Sequence, residues 1–175
     1  MTPVPPGLVI REAGGTEDLA ALYAGAFPQE DLLPLLRALA GREDVLALLA
    51  RLGLDLVGHV AFTRCGVAGR PGGIALLGPL AVAPDRQRRG IGGALVREGL
   101  RRLSAQGVVR VQVLGDPAYC ARFGFRPDAA VAPPYALPEA WRTAWQALGL
   151  RDGAAPFAGV LEVPAPWRRP SLWGA

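Results

Sequence analysis

Lysine is missing from this sequence: all 19 basic residues are arginine. That absence excludes the phosphate-binding P-loop, whose GxxxxGK[ST] pattern needs a lysine on the phosphates. Histidine occurs once and cysteine twice, too few for a four-ligand Cys/His zinc centre. No metal site is expected, and two cysteines in a cytoplasmic chain read as free thiols. Long apolar runs are missing as well. Gly, Pro or Arg interrupts each stretch well before the ~20 residues a bilayer span requires, so no membrane segment is expected. The opening MTPVPPG has neither the basic nor the apolar region of a secretory signal, which makes a cytoplasmic protein the expectation. The net charge of +4 suits an anionic ligand without indicating nucleic acid.

What is present describes a compact globular chain. Hydrophobic residues make up 51% and charged residues 19% of 175 positions, enough for one domain with a proper core. Residues 1–7 read as a mobile Pro-rich start, 8–165 as a single domain, and 166–175 as a C-terminal tail. Strands are expected at 8–13, 45–52, 56–65, 74–84, 108–115 and 158–165, with 66–73 as a loop rich in turn residues. Thr16, Glu17 and Asp18 read as a capped start for a helix that Pro28 ends, and 30–41 as a second helix. Residues 141–150 fit either a helix or a strand. The alternation implies a mixed α/β sheet, and Gly78-Pro79 inside a buried strand predicts a bulge.

From Gly90 onward, Ile91, Ala94, Leu95, Leu100 and Leu103 fall on one helical stripe, and Gly107 is placed to end that helix. Its start carries Arg86, Arg88 and Arg89, where the helix dipole favours carboxylates. Glycines at a helix start leave the first N–H groups open to close approach, the usual recipe for binding phosphate, so the arginines await an anion. A dinucleotide-binding GxGxxG does not fit, because Leu95 takes the third glycine position. Further along, Asp116-Pro117 reads as an N-cap and first-turn proline for a short helix AYCARF.

These residues resemble the GNAT superfamily of acyl-CoA-dependent N-acetyltransferases. Its pyrophosphate loop, [Q/R]xxGxG/A, reads here as Gln87-Arg88-Arg89-Gly90-Ile91-Gly92 after the strand motif LAVAP. Its second marker, a strand and short helix ending in Gly-Phe, reads as VQVLGDPAYCARFGF (111–125), similar to a bacterial branch with the pattern GDPxYYxRFGF. The resemblance implies an α/β (α+β) GNAT fold, with a mixed, mostly antiparallel sheet flanked by helices. In it the parallel fourth and fifth strands, here 74–83 and 109–114, splay apart. It implies acetyl-CoA as co-substrate, with the amides of Leu80, Ala81 and Val82 on the pantetheine arm, Leu80 polarising the thioester carbonyl, and residues 87–92 with Gly93 and Ala94 on the pyrophosphate.

The acceptor implied is the amine of a small molecule or peptide, attacked directly with no acyl-enzyme; a homodimer is left open, and no nucleic-acid or membrane partner is expected. Members often place a tyrosine acid where this chain has Cys120, with Tyr119 beside it on another helical face; the amino end of the short helix is expected to lower the pKa of the Cys120 thiol. The strand-four glutamate often used as base has no counterpart here. Glu30, Asp31, His59 or a water chain are the alternatives for the base. An acyl-CoA binder with weak or no transfer is a second reading. Nucleic-acid binding through DRQRR and the tail WRRPSLW (167–173) is a third, weaker one.

Overall fold

The computed structural model describes residues 2–175, and its Cα packing divides them into two units. The first holds the chain up to Phe62 together with Gly78–Arg102. Strand β1 (Leu8–Glu12) leads to helices α1 (Ala20–Ala26) and α2 (Leu33–Leu39), and then to β2 (Val45–Leu52), β3 (Asp55–Val67), β4 (Arg70–Val82) and helix α3 (Ile91–Ala105). β1 pairs antiparallel with β2 from Leu8↔Leu52 to Glu12↔Leu48, and β3 and β4 follow in sheet order. Leu22 and Tyr23 of α1, Leu36 of α2 and Ala81 of β4 form one buried cluster.

Both helix starts fall later than the sequence predicts, for a local reason. The Glu17 carboxylate turns back to accept from Gly14 and Gly15 N–H at 2.6 and 2.9 Å, so α1 begins only where Asp18 Oδ1 accepts from Ala20 N–H at 2.9 Å. Asp31 plays the same part for Leu33 at 3.2 Å. Side chains that compete for backbone donors in this way delay a helix. α3 behaves as predicted: Ile91, Leu95 and Leu103 are buried, and Gly107 ends it at φ +88° while Val108 N–H donates to Leu103 O. Bare α-carbons at Gly58 and Gly99 let α3 lie close on β3, against Leu95 and Phe62 respectively.

The second unit holds Thr63–Leu77 and Leu103–Ala175. After the ends of β3 and β4 come β5 (Arg110–Leu114), α4 (Pro117–Cys120), β6 (Arg126–Pro127), β7 (Val131–Ala132), β8 (Trp145–Gly149) and β9 (Gly159–Glu162). β4 and β5 run parallel from Ile74↔Arg110 to Leu77↔Val113; β5–β8, β6–β8 and β3–β9 are antiparallel, and β7–β9 is parallel. The expected loop 66–73 is corrected. β3 and β4 run on to Val67 and from Arg70, leaving only Ala68-Gly69 as a turn, at φ +48° and +74°. Two successive positive φ values match the twist of a tight hairpin, and β9 holds the end of β3 in place.

Residues 141–150 resolve into a short 3-10 turn followed by β8. The last ten residues form two 3-10 turns whose aromatics are buried. Trp167 Nε1–H donates to Thr63 Oγ1 and Trp173 Nε1–H to Trp167 O, both at 3.0 Å, and Trp173 packs edge-on against Trp145. Those rings are turned away from solvent, so the tail does not present them for stacking on bases.

Candidate active site

The loop into α3 has the geometry its sequence implies. Arg88 at φ +60° and Gly90 at φ +77° turn the chain, and the first turn of α3 carries no acidic residue. Four backbone N–H groups at a helix start have no partner within the helix, and Gly92 and Gly93 place no side chain over them. Arg88 and Arg89 are exposed beside them, while Arg86 turns to Asp85 at 3.4 Å. The residues present therefore fit a diphosphate: amides without a helical partner, glycines without side chains, positive charge and no competing carboxylate. Gly90 is glycine for a second reason, since a Cβ there would sit 2.8 Å from Thr2 O.

Gln87 has a job that its place in the motif does not announce. Its Nε2 donates to Val82 O at 3.1 Å, tying the loop to the end of β4. On the same strand the parallel pairing to β5 stops at Leu77, followed by Gly78 at φ +146° and a cis Gly78-Pro79 bond. From there Leu80 and Val82 are half-buried, and Ala81 packs against Tyr23 and Leu22.

In the second unit, Asp116 caps α4 as predicted, its Oδ1 accepting from Ala118 N–H at 2.9 Å. Cys120 is 6% exposed and is the last residue of that four-residue helix. Its thiol was expected to gain thiolate character from a helix amino end. Instead burial pushes it up, because the side chain sits at the carboxyl end of α4 and packs over Gly115. Tyr119 is half-buried, edge-on to Phe123, with the Arg122 guanidinium 4.2 Å over its ring.

The acetyltransferase (GNAT) family model matches residues 16–125, a span that holds both motifs. The chain belongs to the GNAT acetyltransferase family. The uncharacterized N-acetyltransferase YjhQ of Escherichia coli K12 is 34% identical over 165 residues, which cover 90% of this chain and 91% of that one. Among solved structures, the GNAT N-acetyltransferase YhbS from Escherichia coli, crystallised with CoA, superposes with a TM-score of 0.83 at 27% identity, covering 97% of this chain and 96% of that one. A GNAT acetyltransferase from Brucella melitensis in complex with acetyl-CoA follows at TM-score 0.72 and 29% identity, covering 91% and 97%. The mixed sheet with its parallel β4–β5 pair is the GNAT fold. Among the described residues no helix is long and apolar enough to cross a membrane.

Among the candidate bases of this GNAT chain, His59 is 3% exposed, and its Nδ1 lies 2.7 Å from the Tyr23 hydroxyl. Burial lowers its pKa to about 4, only partly opposed by the charge of Glu17. A group that gives up its proton so readily is a poor base for an amine. Glu30 and Asp31 instead line an open cleft of about 390 Å³ with Tyr23, Phe27 and Gln29. Tyr23 is the residue the sequence does not announce. It stands 36 positions from His59, on an apolar helix face where any aromatic reads as core.

Proposed function

We propose that this protein transfers an acetyl group from acetyl-CoA to a primary amine by direct attack of the neutral amine on the thioester carbonyl. The observation that carries this reading is the start of α3, a carboxylate-free first turn in which Gly90, Gly92 and Gly93 carry no side chain, with Arg88 and Arg89 exposed beside it. The amides of Gly90 through Ala94 would hold the pyrophosphate, with the arginines supplying charge. On β4, Ala83 N–H donates to Val57 O, so the two-residue alternation turns Ala81 toward β3 as well. Leu80 and Val82 are left to offer their peptides to the pantetheine arm, Leu80 N–H polarising the thioester carbonyl. Holding amine and thioester together supplies much of the rate.

The cleft at Glu30 and Asp31 suits a cationic acceptor, whose proton those carboxylates or a water would take. Cys120 is the assigned acid for the departing thiolate: with its pKa raised, the thiol keeps its proton at neutral pH. Tyr119 is the alternative donor. The same reading assigns the enzyme to the cytoplasm and predicts no metal requirement. A second reading, an acyl-CoA binder without transfer, is favoured by one observation, the lack of any carboxylate on β4.

Labelled acetyl-CoA with a panel of polyamines, amino acids, aminoglycosides and peptides tests the assignment. With no lysine in the chain, label on the enzyme's own ε-amines cannot obscure the result. CoA should raise the melting temperature by mass action, and Gly93→Asp, at a half-buried position, should abolish that shift while leaving the fold intact. Binding with no transfer to any acceptor would select the second reading. No thermal shift and no heat with millimolar CoA would overturn both.

A further inference from the structure

The loop before α1, the inner side of α2 and strands β1–β3 enclose a cavity of about 350 Å³, a size usual for small-ligand sites. Neither the α3 loop nor Leu80–Val82 contributes to its lining. His59 does, and its protonation can be worked out. The Tyr23 hydroxyl at 2.7 Å gives its proton to Nδ1, since with the opposite tautomer the phenolic proton would have no acceptor. Burial agrees, keeping the phenol protonated and the imidazole neutral. The ring's own proton is then on Nε2, which has no partner among the described residues, although no fully buried side-chain nitrogen or oxygen lacks one. Nε2–H is therefore reached from the cavity.

The charges around it sort into two kinds. Glu12 is taken up by Arg102 at 3.5 Å and Arg42 by Asp44 at 2.8 Å. Glu17 and Asp18, fixed by the amides they accept from, have no ion-pair partner among the described residues, and neither has Arg37 in the last turn of α2. Leu33, Leu36 and Leu39 supply an apolar side.

We propose that this cavity binds a free α-amino acid with an apolar side chain. Its carboxylate meets His59 Nε2–H and the Arg37 guanidinium, its ammonium meets the carboxylates of Glu17 and Asp18, and its side chain lies against the three leucines. A ligand carrying only one of the two charged groups would leave half of this charge pattern unanswered. The site is separate from the acetyl-transfer machinery and needs no acyl-CoA.

Isothermal titration of the intact protein, with no CoA present, tests this with L-leucine, L-methionine and L-phenylalanine as probes. At least one should bind one-to-one below about 1 mM, with the amine-only and acid-only analogues, such as 3-methylbutylamine and 4-methylpentanoate for leucine, weaker by about tenfold or more. Arg37→Gln, at an exposed position, should weaken binding about fivefold or more. Ala47→Leu, which fills the cavity from β2, should abolish it with circular dichroism unchanged. The absence of heat with all three amino acids, or equal affinity in wild type, Arg37→Gln and Ala47→Leu, overturns the proposal. Neither result depends on whether the chain transfers acetyl groups.

Discussion

Replacing Gly99 with alanine should destabilise this protein, although alanine is the better helix former. Within a helix interior the exchange alone gains about 1 kcal/mol. Here the new Cβ would overlap Cε2 and Cζ of Phe62, whose ring is fully buried on β3. The helix cannot simply move away, because one turn earlier Leu95 and Ile91 close on Gly58 of the same strand, 2.8 and 3.2 Å from where its Cβ would be. Overpacking in so tight a seam costs about 2–3 kcal/mol, the upper part of the usual range. The net loss is then about 1–2 kcal/mol, or about 2–8 °C in melting temperature for a chain of this size. Any tilt that relieves the clash also moves the first turn of α3, so CoA affinity should fall as well. Calorimetric melts of wild type, Gly99→Ala, Phe62→Leu and the double variant would show it, the smaller leucine restoring part of the loss with a coupling of about 0.5 kcal/mol or more. A Gly99→Ala protein that melts at or above wild type would refute the close-packing argument.

Three further outcomes are expected. The Arg101 and Arg102 guanidiniums hold the Glu98 carboxyl down at about 2, below its ordinary 4.5, so its contribution is full above pH 4.5 and is lost as pH falls through 2. Glu98→Gln should therefore melt below wild type at pH 7, and the gap should close as melts are repeated down to pH 2. Asp128, whose side chain is 8% exposed, takes Arg110 Nη2 at 2.7 Å and Gln112 Nε2 at 3.1 Å, so Asp128→Asn should cost about 1–3 kcal/mol in urea unfolding. Cys120, buried and protonated, should react with a thiol reagent far more slowly in native protein than in urea, and Cys120→Tyr should lose about 1–3 kcal/mol because Sγ already stands 3.1 Å from a would-be Cβ on Gly115. Fast native labelling of Cys120 would contradict that placement.

The α3 loop was legible in the sequence because its meaning is local: glycines at a helix start, arginines around them and an apolar stripe behind. Asp116 and Gly107 were legible for the same reason, since a cap or a left-handed terminus acts within one turn. The β3–β4 hairpin was not. Gly66, Gly69, Gly72 and Gly73 read as loop, yet pairing with Glu162 and Leu161 of β9 sustains the strand where local preference would end it. Cys120 misled by a single helical turn: the dipole argument was sound, but it was applied to the wrong end of α4. Nor could Trp167 or the Tyr23–His59 pair be read forward, because each is held by a partner 36 or more residues away in sequence.

The placement of the tryptophans has an optical consequence. All four, Trp141, Trp145, Trp167 and Trp173, lie in the second unit, and three of them are buried side by side there. Emission excited at the red edge of the indole band thus comes from that unit alone. The unit bearing Gly90 and Arg88 emits only through tyrosine, and its single tyrosine is Tyr23. Set beside far-UV circular dichroism of the whole chain, that indole emission followed through a denaturant titration would show whether the units melt together or in sequence, without a label or a mutation.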